Sequence, residues 1–190
     1  MHSLFIEETE LDGVVVITPR RFEDERGWLM ETWSTGALRE AGLDVTFVQA
    51  NHSLSHEAAT LRGLHYQAPP MAQDKLVRCT AGRILDVAVD ARRGSSTYGR
   101  SVSVELSARN GRQLFVPKGF LHGFLTLDRE CEVQYLMSAP YDARRDGAVH
   151  WDSVGIEWPV AEMPIVSEKD RNAPRFADWN SPFVCSEDNG

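Results

Sequence analysis

The chain has 190 residues, 42% hydrophobic and 25% charged, proportions that fit one globular domain. Twenty basic against 28 acidic residues leave a net charge of -8, which argues against nucleic-acid or anionic-membrane partners, since both need a surplus of Lys and Arg. No run approaches the roughly 20 apolar residues of a membrane helix, and the acidic start MHSLFIEETELDG does not resemble a signal peptide, so a cytoplasmic chain is expected.

Gly13 to Pro19 (GVVVITP) is an apolar, β-branched run and predicts a buried strand. Asp24-Glu25-Arg26-Gly27 signals a turn, with a short strand from Trp28 to Trp33 after it. Ser34 is placed to cap a short helix that ends at Gly42. Val45 to Ser53 alternates again and puts Gln49 and Asn51 on one strand face. Then comes LRGLHYQAPPMAQDK, residues 61–75, which sets Arg62, His65, Tyr66, Gln67 and Lys75 into an alternating apolar pattern. Leu76 to Cys79 and Arg83 to Asp90 predict strands around a turn at Ala81-Gly82. In the second of these, Ile84, Asp86, Ala88 and Asp90 share one face.

Ser101 to Leu106, Gln113 to Pro117, Gly123 to Leu127 and Cys131 to Ser138 continue the series, with a hairpin signal at Asn110-Gly111. Short strands at such even spacing, with almost no helical period, predict an all-β sandwich or barrel. From Pro140 the pattern loosens and reads as a segment that wraps back over the barrel, with Trp179 and Phe183 docked or frayed at its end. The expectation is one domain over residues 1–190, with a barrel core over 13–138 and a C-terminal segment over 139–190. Cys79, Cys131 and Cys185 form no CxxC and read as reduced thiols.

Cations and a histidine gathered as in residues 61–75 usually serve a site, because a buried charge without a partner is strongly destabilising. The plainer reading is a solvated strand edge with a tight turn at Pro69-Pro70. His65 is the one residue of this stretch of a type whose unperturbed pKa lies near physiological pH, which makes it the candidate acid or base; such a group needs an orienting partner on its other ring nitrogen, and a carboxylate suits. Lys75 suits a developing oxyanion. Tyr135 shares its strand face with Val133 and Met137, where a phenol can serve as an acid, although the pattern alone favours an ordinary strand aromatic. A regular strand would send Arg62 and His65 to opposite faces, and Gly63 is where a bulge would reunite them. Arg26 and Arg62 suit an anionic group such as a diphosphate, although Arg26 alone reads as a turn residue. Pro117 to His122 matches the PxGxxH pattern of the second cupin motif, but the first motif offers His65 with no HxH. Two distant histidines can still meet, so the spacing leaves a metal open while naming no further ligands; the expectation is no metal and no cofactor, as no GxGxxG follows a strand either.

The segments DERGWLMETW, FVQANHSLS, LRGLHYQAPPMAQDKLVRC, GRILDVAVDARRGSSTYG, QLFVPKGFLHGF, VQYLMSAPYD and SEKD resemble, in the same order, those of the dTDP-4-dehydrorhamnose 3,5-epimerase family. They span roughly residues 13 to 175. The resemblance implies a cupin-type jelly-roll β-barrel, a homodimer, no metal, and inversion of C3 and C5 of dTDP-4-dehydro-6-deoxy-D-glucose through an enolate. It implies His65 as base, Asp170 as its orienting carboxylate, Tyr135 as acid and Lys75 beside the C4 oxygen. It also implies that Arg62 and His122 line the sugar and phosphate part of the pocket, that Arg26, Glu31, Gln49 and Asn51 hold the thymidine diphosphate, and that Asp146 and Lys169 belong to the substrate-binding set. In the family the N-terminal segment crosses to the neighbouring subunit, which would carry Arg26 and Glu31 with it. Asp146 stands where Glu is frequent, Trp28 where Phe is frequent, and Asp74 where Gly is common; a carboxylate there would raise the pKa of Lys75. A relative that inverts only C3 or only C5 is the alternative activity, and a metal-dependent cupin a more distant one.

Overall fold

The computed structural model describes residues 4–185. Its strands are β1 (Leu4–Glu8), β2 (Val15–Pro19), β3 (Arg21–Asp24), β4 (Gly27–Met30), β5 (Gln49–Ser55), β6 (Leu61–Gln67), β7 (Lys75–Ala81), β8 (Arg83–Asp90), β9 (Ser101–Ser107), β10 (Gln113–Val116), β11 (Phe120–Thr126), β12 (Cys131–Met137) and β13 (Asp146–Ala148). Two short helices, α1 (Thr35–Glu40) and α2 (Glu168–Arg171), complete the regular elements apart from one 3-10 turn. None of the described helices is long and apolar enough to cross a membrane.

The strands form two antiparallel sheets, in the orders β1-β2-β10-β7-β12-β5 and β13-β6-β11-β8-β9, beside the separate β3–β4 hairpin. From β5 to β12 the chain crosses between the sheets so that β5, β12, β7 and β10 face β6, β11, β8 and β9. That is the Greek-key wiring of a jelly roll, and the expected all-β, cupin-type architecture is the one the chain adopts. Alternation explains the core: Val77, Ile84, Leu106, Leu114 and Val133 are fully buried between the sheets, each worth about 1.5–3 kcal/mol over exposure.

Two predicted elements differ from those observed, and an observed strand was not predicted. The strand expected from Val45 begins at Gln49, and Val45 and Phe47 instead pack with Leu38 of α1 on the outer face of the larger sheet. Only the Val48 N–H, bonded to the Met137 carbonyl at 2.9 Å, extends the pairing with β12 ahead of Gln49. The strand expected from Trp28 to Trp33 stops at Met30. Leu4–Glu8, read only as an acidic start, pairs with β2 and sends Leu4 and Ile6 onto the same outer cluster.

The C-terminal segment returns along the smaller sheet. Asp146–Ala148 pairs with β6, Ile165 bridges to Thr60, and Trp179 and Phe183 dock on Tyr66, with ring centroids 5.0 and 5.8 Å away.

Candidate active site

The site is built where β6 meets β11 at two glycines. A Cβ on Gly63 would lie 2.6 Å from the Gly123 Cα, and one on Gly123 would lie 2.9 Å from the Arg62 carbonyl oxygen. Gly63 also holds φ at 143°, a backbone conformation that side chains disfavour. Pairing between β6 and β11 shifts register between His122 and Phe124, opposite this point. The irregularity puts both Arg62 and His65 on the wall of one cavity, where a regular strand would have separated them.

The cavity has a volume of about 430 Å³, within the usual range for a small-molecule site. His65 sits beside His122 across the β6–β11 ladder, and both line it. His65 Nε2 lies 2.6 Å from Asp170 Oδ1, and Asp170 is buried at 2% exposure. Burial pushes the Asp170 carboxyl up, but the hydrogen bonds and charge of His65, the Ser167 hydroxyl and the Gly63 N–H outweigh it and hold it below the ordinary carboxylate value. An ionised carboxylate can only accept, so Nε2 presents an N–H to Asp170, which in the neutral ring leaves the lone pair on Nδ1.

Sequence explains how Asp170 comes to be there. Ser167 caps α2, accepting from the Asp170 N–H at 3.1 Å. In a capping box the third side chain would reach back to the cap. Here the Asp170 carboxylate goes to His65 and to the Gly63 N–H instead.

His122 has its own carboxylate, Asp86, with Nε2 to Oδ1 at 2.8 Å. Asp86 was read in the sequence only as part of a strand face. The available signal was an acid in the middle of the apolar run RILDVAVD, where a charge without a partner is not tolerated.

Lys75 opens β7 on the opposite sheet, and Tyr135 lies on neighbouring β12. Both line the cavity, so the histidines and the phenol come from facing walls. Burial pushes the Lys75 ammonium down from 10.5 to about 8, against the favourable charges of Asp86 and Asp146. The expectation that Asp74 would raise it is corrected: Asp74 turns away, accepting from the Ser138 hydroxyl and pairing with Lys118. Lys169 lines the cavity from α2, and Asp146 is ion-paired to it.

The structure does not bring Arg26, Glu31, Gln49 or Asn51 onto this cavity wall. Arg26 is exposed on the β3–β4 turn and paired with Asp24, and Glu31 is exposed just beyond the hairpin. Gln49 donates to Asn51 at 3.0 Å on the edge strand β5. Among the described residues no cluster of three or more His, Cys, Asp or Glu is placed to hold a metal ion.

The family model described as dTDP-4-dehydrorhamnose 3,5-epimerase matches residues 8–178. A dTDP-4-dehydrorhamnose 3,5-epimerase from Sinorhizobium fredii is 44% identical over 185 residues, which is 96% of this chain and 95% of the relative. The crystal structure of a Bacillus anthracis dTDP-4-dehydrorhamnose 3,5-epimerase with TDP and PPi bound is 42% identical, with a TM-score of 0.88 over 90% of this chain and 99% of that one. A Legionella pneumophila dTDP-6-deoxy-D-glucose-3,5-epimerase, solved in complex with dTDP-4-keto-L-rhamnose, is 36% identical, with a TM-score of 0.92 over 97% of this chain and 99% of that one. Matched nearly end to end in sequence and in fold, this chain belongs to the dTDP-4-dehydrorhamnose 3,5-epimerase family.

Proposed function

We propose that this isomerase inverts C3 and C5 of dTDP-4-dehydro-6-deoxy-D-glucose to give dTDP-4-dehydro-L-rhamnose, with His65 as the base. The observation that carries the reading is the 2.6 Å His65–Asp170 pair on the wall of a cavity whose facing wall holds Lys75 and Tyr135. The C4 ketone acidifies the C–H bonds at C3 and C5. His65 Nδ1 takes a proton and becomes imidazolium, which Asp170 steadies. The electron pair moves onto the C4 oxygen, where the Lys75 ammonium stabilises the enolate. Tyr135 returns a proton from the opposite face, so the centre inverts without net oxidation or reduction. Arg62, Lys169 and His122 line the path of the sugar and its diphosphate, with Asp146 holding Lys169 in place. The cationic excess there suits an anionic ligand in a chain of net charge -8.

Arg26 and Glu31 serve the site of a second copy in a homodimer. Support comes from the β3–β4 hairpin, which leaves Trp28 and Leu29 54% and 73% exposed and carries Arg26 away from its own cavity. Gln49 and Asn51 complete the nucleotide contacts from β5.

Solvent deuterium incorporation at C3 and C5, followed by NMR, tests the reading. Wild-type protein should label both carbons, and His65→Ala should lose about 10²–10⁴-fold in exchange while remaining folded. Near-normal exchange in His65→Ala removes it as the base, and wild-type label at one carbon alone reassigns the enzyme to a single epimerisation.

A further inference from the structure

Asp86 is fully buried: Oδ1 holds His122, while Oδ2 is buried with no hydrogen-bond partner among the described residues. Lys75 is its counterpart on the facing sheet, and its ammonium makes no hydrogen bond or ion pair with any described residue. A carboxylate oxygen and an ammonium left unpaired in one barrel interior act on each other through a medium that screens weakly. We propose that Asp86 is a positioning residue of this epimerase, acting through Lys75: its buried carboxylate keeps Lys75 in the ammonium form that the enolate requires. The inference rests on the reading of the cavity as the epimerase site.

The other charges around Lys75 leave this task to Asp86. Asp146 also favours the ammonium, but it is ion-paired to Lys169, which opposes it. Asp74, adjacent in the chain, is committed to Ser138 and Lys118. Asp170 is taken by His65, and Arg62 is tied to Ser55 and the Leu54 carbonyl on β5. His122, which is tied to Asp86, and Tyr135 line the same cavity as Lys75. Of the charges acting on Lys75, Asp86 is the strongest, consistent with its unpaired Oδ2.

Competitive acetylation of the substrate-free protein across a pH series, read on the Lys75 peptide by mass spectrometry, measures the ammonium directly. The wild-type midpoint is expected near 8. Asp86→Asn, which keeps shape and hydrogen bonding, should lower it by about one pH unit or more and leave the Lys118 profile unchanged. The alkaline limb of C3 and C5 exchange should move the same way. A Lys75 midpoint unmoved by Asp86→Asn overturns the proposal. If that variant does not fold, wild-type protein still decides: the carbon-13 shift of the Asp86 carboxyl should step as Lys75 titrates, and the step should vanish in Lys75→Met. Absence of the step in the wild type also overturns the proposal. Wild-type protein that exchanges neither carbon at any pH would instead defeat the epimerase reading, a failure visible independently of the labelling result.

Discussion

Replacing Lys75 by Met should make the protein more stable while abolishing its chemistry. The ammonium is held at about 8 in the fold against an ordinary 10.5, because burial disfavours the charged form. That gap corresponds to roughly 3 kcal/mol at about 1.36 kcal/mol per pH unit. Because the side chain is partly open to the cavity, screening brings the expected gain to about 1–3 kcal/mol. Below pH 8 both folded and unfolded chains hold the proton, so the wild type bears the whole penalty there. Between about 8 and 10.5 the unfolded chain binds the proton and the folded one does not, so wild-type stability rises with pH through that window. Met keeps the apolar stem and removes the charge. Thermal unfolding by circular dichroism from pH 6 to 10 should therefore show Lys75→Met melting higher at pH 6.5, by about 2–4 °C per kcal/mol for a chain of this size. The advantage should shrink as pH approaches 10. A variant less stable than wild type at pH 6.5, or an advantage that grows with pH, would refute the reasoning.

Gly63→Ala should fold poorly, because its methyl meets the Gly123 backbone at 2.6 Å and the site requires a φ of 143°; a loss of about 3 kcal/mol or more is expected in urea titration, and near-wild-type stability would count against the close approach. Asp90, fully buried, is held at about 2: burial raises it, but bonds from Arg92, Ser95 and Thr97 outweigh that. Its contribution of about 2 kcal/mol is present above its ordinary value of 3.8 and is lost as pH falls through 2; Asp90→Asn should be less stable at pH 7 and show a flatter stability curve between pH 4 and 2. Tyr135→Phe should retain deuterium exchange at one carbon better than net epimerisation; equal loss of both means the phenol does more than return a proton.

The barrel was legible because its signal is local. Apolar alternation broken at regular intervals by Gly-containing turns marks strands wherever their partners lie, and β6 to β12 stand close to where the pattern put them. Residues 61–75 announced a site because charges and a histidine interrupt that alternation. What escaped depended on distant partners. The strand Leu4–Glu8 exists by virtue of β2, and Asp146–Ala148 by virtue of β6. Asp86 could be seen as an acid in an apolar run, but not as the partner of a histidine 36 residues on. Asp74 was misjudged for the converse reason: adjacency to Lys75 in sequence placed its carboxylate on a different side of the strand, beside Ser138.

The carboxylate that aims His65 does not belong to the barrel strands; it rides on a four-residue helix 105 positions further along the chain. The strands β5 to β12 therefore all precede that helix in the chain. Under the proposed function the base draws its orienting carboxylate from this distal segment alone, so removing the chain from Ser167 onward is expected to silence the enzyme while β5 to β12 keep their partners.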